Sequence, residues 1–208
     1  MSGKRRGAGL ARSAAGGIAL IGLAAIVTRF VILFERTGSA GAAAWSMLRF
    51  YTIIGNLLAA LIFAAVALGS RRAFLPFTTG GATLNMALIG IVYALLLRGF
   101  QHLTGLSLYI DWVMHDVQPP LIAAFWLVFA PKKGLRWRDP WLWAVPPVLY
   151  FIYAMVRGQY GGGYPYPFIN VDKLGWPQTL VNAAGICFVF VVAGWLLVWL
   201  GRRIGKAG

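Results

Sequence analysis

The chain has 208 residues, of which 60% are hydrophobic and 12% charged, and 19 Lys and Arg against 5 Asp and Glu give a formal net charge of +14. A soluble domain carries about 25% charged and under 50% apolar residues, so there is too little polar surface here to clothe a water-soluble globule. One cysteine and no low-complexity tract exclude a disulfide scaffold and a disordered tail, and the composition reads as a multi-pass membrane protein.

A helical crossing needs about 20 mostly apolar residues. Taken in chain order, residues 1–13 read as a basic cytoplasmic tail, and six stretches then qualify: 14–34, 43–68, 78–97, 106–130, 140–156 and 176–200. The first has a competing reading. Lys4–Arg6 before an apolar run, with Ala40-Gly41-Ala42 after it, imitates a secretory signal and its cleavage site. The run is longer than an ordinary signal core, and Arg29, Glu35 and Arg36 interrupt its end, which favours a retained helix. The fifth stretch is short, but Trp141, Trp143, Tyr150 and Tyr153 suit its interfaces. Residues 157–175, with Gly161-Gly162-Gly163 and Tyr164-Pro165-Tyr166-Pro167-Phe168, read as a non-helical loop whose aromatics fold it back onto the bilayer surface, over the outer mouth of the bundle.

Thirteen of the basic residues fall in four clusters: Lys4/Arg5/Arg6/Arg12, Arg71/Arg72, Lys132/Lys133/Arg136/Arg138 and Arg202/Arg203/Lys206. Clusters separated by apolar runs follow the positive-inside rule. The expectation is one all-α domain of six transmembrane helices with both termini cytoplasmic. A nucleic-acid binder would interleave its cations with aromatics on one folded surface, so nucleic acid is not an expected partner.

Two double prolines, Pro119-Pro120 and Pro146-Pro147, interrupt spanning stretches. A proline frees the carbonyl four residues earlier. Pro119 thus frees that of His115 and Pro120 that of Asp116, which predicts a bend and an opening beside His115. Polar residues inside spans are costly and are functional candidates by default. Those here are Arg29, Thr52, Asn56, Asn85, Asp111, His115, Asp116 and Asn182, with Arg29 read as snorkelling outward. The chain has no G-x-S-x-G, P-loop, dinucleotide or H-E-x-x-H motif. Two His and five acids are a poor metal cage, His102, His115 and Asp111 being the only set to weigh, so no metal and no cofactor are expected. Thr52 lies seven residues past Trp45 and His115 six past Tyr109. With Trp45 and Tyr109 at the interface, a 1.5 Å rise per residue sets both about 10 Å below it. Arg49, Thr52 and Asn56 share a face on a continuous helix, as do Asp111 and His115.

Phe50-Tyr51-Thr52 before an apolar helix, then Trp112-Val113-Met114-His115, then Tyr164-Pro165-Tyr166-Pro167-Phe168 resembles the androgen-induced protein and androgen-dependent TFPI-regulating protein superfamily. The resemblance runs in order from about Ala14 to Leu200. It includes the superfamily's bacterial relatives, and it implies six membrane helices in a bacterial inner membrane and a threonine hydrolase acting on fatty acid esters of hydroxy fatty acids, with Thr52 as nucleophile and His115 as its partner. The animal enzymes have Asn where this chain has Asp111, so an acid there is no family signature.

The chemistry is coherent with that implication. A threonine hydroxyl needs a base, and histidine suits that near neutral pH. Asp111, one turn earlier, is placed to orient the imidazole, and Asp116 is the weaker candidate. Asn56 is the first choice of oxyanion donor and Asn182 the second. Arg49 and Arg98 are expected to hold a substrate carboxylate. The leading reading is an intramembrane esterase for long-chain carboxylic esters whose partners are membrane lipids and a lipid ester. The alternative is a non-catalytic membrane protein, either a transporter or an assembly factor. The two differ in whether polar residues line a route through the bundle or a pocket closed on one side.

Overall fold

A computed structural model describes residues 2–100 and 102–205, with side chains from Arg6 onward; Lys4, Arg5 and Lys206 of the basic clusters lie outside the described side chains. The described residues are helical, with no strand among them. The helices are α1 (Ser2–Thr37), α2 (Ala40–Met47), α3 (Tyr51–Ala67), α4 (Pro76–Val92), α5 (Gly105–Trp112), α6 (Gln118–Val128), α7 (Asp139–Trp143), α8 (Val145–Arg157) and α9 (Val171–Ile204). Three helical stretches are long and apolar enough to cross a membrane: residues 6–37, 76–97 and 171–204. The α2–α3 pair makes a fourth when counted as one span, although it bends by 96°.

That bend corrects the expectation of one straight helix over 43–68. Nothing in Trp45–Ile54 punctuates the helix, since the stretch has neither Gly nor Pro. The break is held by partners from elsewhere. A helix end in an apolar medium leaves carbonyls that need donors. Arg157 Nη1 donates to Trp45 O (2.8 Å) and Tyr150 Oη to Arg49 O (2.7 Å). Residues 140–156 are likewise two helices, joined at Ala144. The 157–175 loop is broken where its glycines stand, with Gly161, Gly163 and Gly175 at positive φ, and carries short helical pieces between. A π-helical turn over Gly158–Gly162 follows α8, a 3-10 turn covers Pro167–Ile169, and α9 starts at Val171.

Without a hydrophobic drive between helices, small residues let them approach. A Cβ on Gly22 of α1 would lie 3.3 Å from Ala60 of α3, and one on Gly201 of α9 3.2 Å from the Trp126 ring of α6. The basic clusters gather at one end of the bundle. Arg12 Nε donates to Ala67 O at the end of α3 (2.8 Å), and the Arg202 guanidinium lies over the Trp137 ring. The opposite end is hollow.

Candidate active site

Three backbone irregularities build the hollow end. The first is the break before α3. Phe50 is extended (φ −107°, ψ 130°), so Thr52 is the second residue of a helix rather than a mid-helix residue. The Ile53 and Ile54 N–H groups bond to Phe50 O, and the Tyr51 N–H donates to Tyr166 Oη (2.9 Å). The Thr52 N–H has no backbone acceptor among the described residues. The second irregularity is a π-helical turn over Val113–Val117, between α5 and α6. The Gln118 N–H reaches back five residues to Val113 O, and Pro119 follows without an N–H of its own. The carbonyl of Met114 is thereby spared, and it accepts from Asn56 Nδ2 (3.4 Å). The third is a π-helical turn over Tyr93–Leu97 that continues α4. Such turns are frequent at functional sites.

These features bring Thr52 and His115 together, with Thr52 Oγ1 3.1 Å from His115 Nε2. Both are enclosed, at 9% exposure for Thr52 and for the His115 side chain. On the far side of the ring, Nδ1 is 2.9 Å from the Asp111 carbonyl and 3.2 Å from Asp111 Oδ1. Two acceptors at Nδ1 favour the proton there, which leaves Nε2 free to accept from the threonine hydroxyl. Tyr93 lies flat against the imidazole, 3.9 Å between ring centres at 14°, and its hydroxyl donates to Asp111 Oδ2 (2.5 Å). The ring is fixed from three directions.

A cavity of about 430 Å³ opens onto this group. It is lined by Thr52, Asp111, His115 and the guanidinium-bearing Arg29, Arg49 and Arg157, and is covered by Pro165 and Tyr166. Its lining reaches no further into the bundle than Arg29 on α1, Ile53 on α3 and His115. It is a pocket at one end, not a route through.

Several expectations are corrected here. Asn56 is no oxyanion donor, because its Nδ2 already donates to Thr52 O (2.9 Å) and Met114 O. Asn182 is committed to Phe168 O (2.9 Å) and accepts from Gln178. Arg98 forms an ion pair with Asp116 and does not line the cavity. Arg29 does line it rather than snorkelling away, and Arg49 sits in the break, off the face that carries Thr52 and Asn56. The depth argument from Trp45 fails for the same reason, since the chain turns between Trp45 and Thr52. Asn85 accepts from the Tyr51 hydroxyl, joining α3 to α4. His102 does not join the Asp111–His115 pair in any metal-binding group among the described residues.

Sequence reasoning assigned no role to Tyr93, Arg157 or Tyr166. Tyr166 is the most telling omission. Its phenol sits against the first turn of α3, beside the Thr52 hydroxyl and amide. Burial raises its pKa above the ordinary tyrosine range, so it stays protonated. Phe168 stacks on it at 5.2 Å and Phe50 meets it edge-on at 6.1 Å, fixing the loop to α3. The only signal in the sequence was the alternation of aromatics with prolines.

No family model matches the chain, and no curated protein and no solved structure matches it.

Proposed function

We propose that this chain is an intramembrane esterase that cleaves lipid carboxylic esters through an acyl-Thr52 intermediate. The observation that carries the reading is the Thr52–His115–Asp111 relay, with its hydroxyl-to-imidazole distance of 3.1 Å, at the mouth of a pocket lined by three guanidinium groups. The His115 Nε2 lone pair takes the threonine proton as Oγ1 attacks the ester carbonyl. The tetrahedral oxyanion is met by the Tyr166 hydroxyl, which lies beside the Thr52 hydroxyl at the N-terminus of α3. Collapse expels the alcohol, which takes its proton from His115. Water then enters, gives a proton to His115 and releases the acid, and the proton returns to Thr52. Arg29, Arg49 and Arg157 are placed to hold an anionic group on the substrate. The resemblance to the androgen-induced protein superfamily points the same way and suggests fatty acid esters of hydroxy fatty acids as substrates. A pocket closed toward the basic end favours this reading over transport.

The test is labelling of purified protein with a fluorophosphonate, beside hydrolysis of a long-chain fluorogenic ester. Thr52→Ala abolishes labelling, and Thr52→Ala and His115→Ala each lower kcat by about 10³-fold or more. Tyr166→Phe lowers kcat by about 10²-fold with little change in KM. Labelling that persists in Thr52→Ala removes the nucleophile from the proposal.

The same proposal sets the chain in the membrane with six crossings, both termini and the basic clusters cytoplasmic and the pocket outside, in a bacterial inner membrane. Single cysteines replacing exposed His102 and exposed Lys133, in a Cys187→Ala background, report the two faces. An impermeant maleimide added to intact cells labels the first and spares the second. The reverse pattern inverts the topology.

A further inference from the structure

A second cavity, of about 350 Å³, lies against the same threonine. Thr52, Leu97 and Tyr166 line both cavities, so the nucleophile and its neighbouring phenol stand in the partition between them. The two chambers differ in chemistry. The first carries Arg29, Arg49, Arg157 and Asp111. The second is walled by Ile89 and Val92 of α4, Val148 and Phe151 of α8, and Ala183 and Cys187 of α9. Its tyrosine hydroxyls are already engaged, Tyr51 with Asn85 and Tyr150 with Arg49 O. It offers a ligand hydrocarbon and little else.

From this division we infer that the apolar cavity is the acyl-chain chamber and sets the chain length the site accepts, an inference that rests on the esterase reading above. An ester carbonyl held at Thr52 has one arm on each side of the partition. The arm bearing an anion is excluded from the apolar side by desolvation and is met by guanidinium groups on the other. The acyl arm therefore runs between α4, α8 and α9. Val148 (43% exposed) and Leu180 (52% exposed) flank its opening on the apolar flank of the bundle, so the chain slides in sideways from lipid. Phe190, the lining residue furthest along α9, is 2% exposed and packs into the core, which makes the chamber finite. Each methylene moved out of water strengthens binding by about four-fold, until the chamber is full. Ala183 and Cys187 are then specificity-determining, because their small side chains leave the space that the chain occupies.

The experiment has two arms, both on the full chain in nanodiscs. In the first, wild type and Ala183→Phe hydrolyse 4-methylumbelliferyl acetate, octanoate and hexadecanoate. The hexadecanoate-to-acetate ratio of kcat/KM falls in the variant by about ten-fold or more, the effect of roughly two methylenes left outside. The second arm needs no catalysis. Cys187 is the chain's one cysteine, and in Thr52→Ala its alkylation by N-ethylmaleimide is slowed by hexadecanoate and not by acetate. Hydrolysis by wild type with an unchanged ratio and no protection of Cys187 overturns the chamber and leaves the esterase standing. Protection without hydrolysis by wild type keeps the chamber and removes the esterase. Neither hydrolysis nor protection removes both.

Discussion

At the basic end of the bundle, Phe63 and Ile122 are fully enclosed and Trp126 is 2% exposed, while Trp143 lies over Gly80 and Gly81 of α4. At the other end the enclosed groups are Thr52, Asn56 and Arg157, around open space. One end is made of regular helices in van der Waals contact. The other is made of a helix break and two π-helical turns, and it leaves Arg49 Nε, Asn56 Oδ1 and Arg157 Nε buried without a hydrogen-bond partner. Polar side chains add interhelical hydrogen bonds to a membrane bundle, and at this end three arginines and an aspartate also surround an open hollow. The difference predicts that chemistry and stability are separable along the bundle axis.

The largest expected effect falls at the hollow end. Asp111→Asn keeps the shape and loses the charge facing Nδ1, and kcat falls by about 10²- to 10⁴-fold with the unfolding temperature near that of wild type. A rate within two-fold of wild type would remove Asp111 from the relay. A smaller effect, of the opposite kind, is expected at the packed end. A Cβ on Gly81 would lie 2.6 Å from Trp143 Cδ1 and 2.8 Å from the Nε1 that donates to Phe77 O. Gly81→Leu overpacks this contact and costs about 1–3 kcal/mol, read as a lower thermal midpoint in detergent, while kcat measured well below the transition stays within a few-fold. A Gly81→Leu protein that is as stable as wild type but inactive breaks the proposed separation.

Much of the helical order was legible in the sequence because apolar runs bounded by basic clusters need only composition to be seen. The Thr52–His115 meeting was reached by a sound pairing and a faulty ruler. The two residues meet, yet the depth of Thr52 was measured along a helix that does not continue. The break at Leu48–Phe50 leaves no mark in residue type, since its stability comes from Tyr150 and Arg157, about a hundred residues later. The roles of Asn56 and Arg98 were misread for a related reason. Asn56 is taken by a carbonyl that only the π-helical turn frees, and Arg98 by Asp116 on a neighbouring helix. A prolyl pair announces that carbonyls will be spared and not which donor will claim them. The aromatic-proline alternation around Tyr166 was read as a loop over the mouth, and its contact with Tyr51 stayed hidden because it is a matter of tertiary structure.

The tyrosine laid flat on His115 carries a consequence of its own. While the imidazole is neutral, Tyr93 is a packing surface. In the proposed mechanism the ring accepts the threonine proton and becomes a cation resting on a π face at 3.9 Å, an arrangement worth about 0.5–2 kcal/mol that exists only while the charge does. The same ring also carries the Arg98 guanidinium, 5.1 Å from its centre, and that cation is paired with Asp116. The phenol ring thus lies against both the imidazole and a cation held in an ion pair at the rim. Salt or a headgroup that loosens Arg98 from Asp116 therefore changes the charge beside the ring that lies on His115 without touching the pocket.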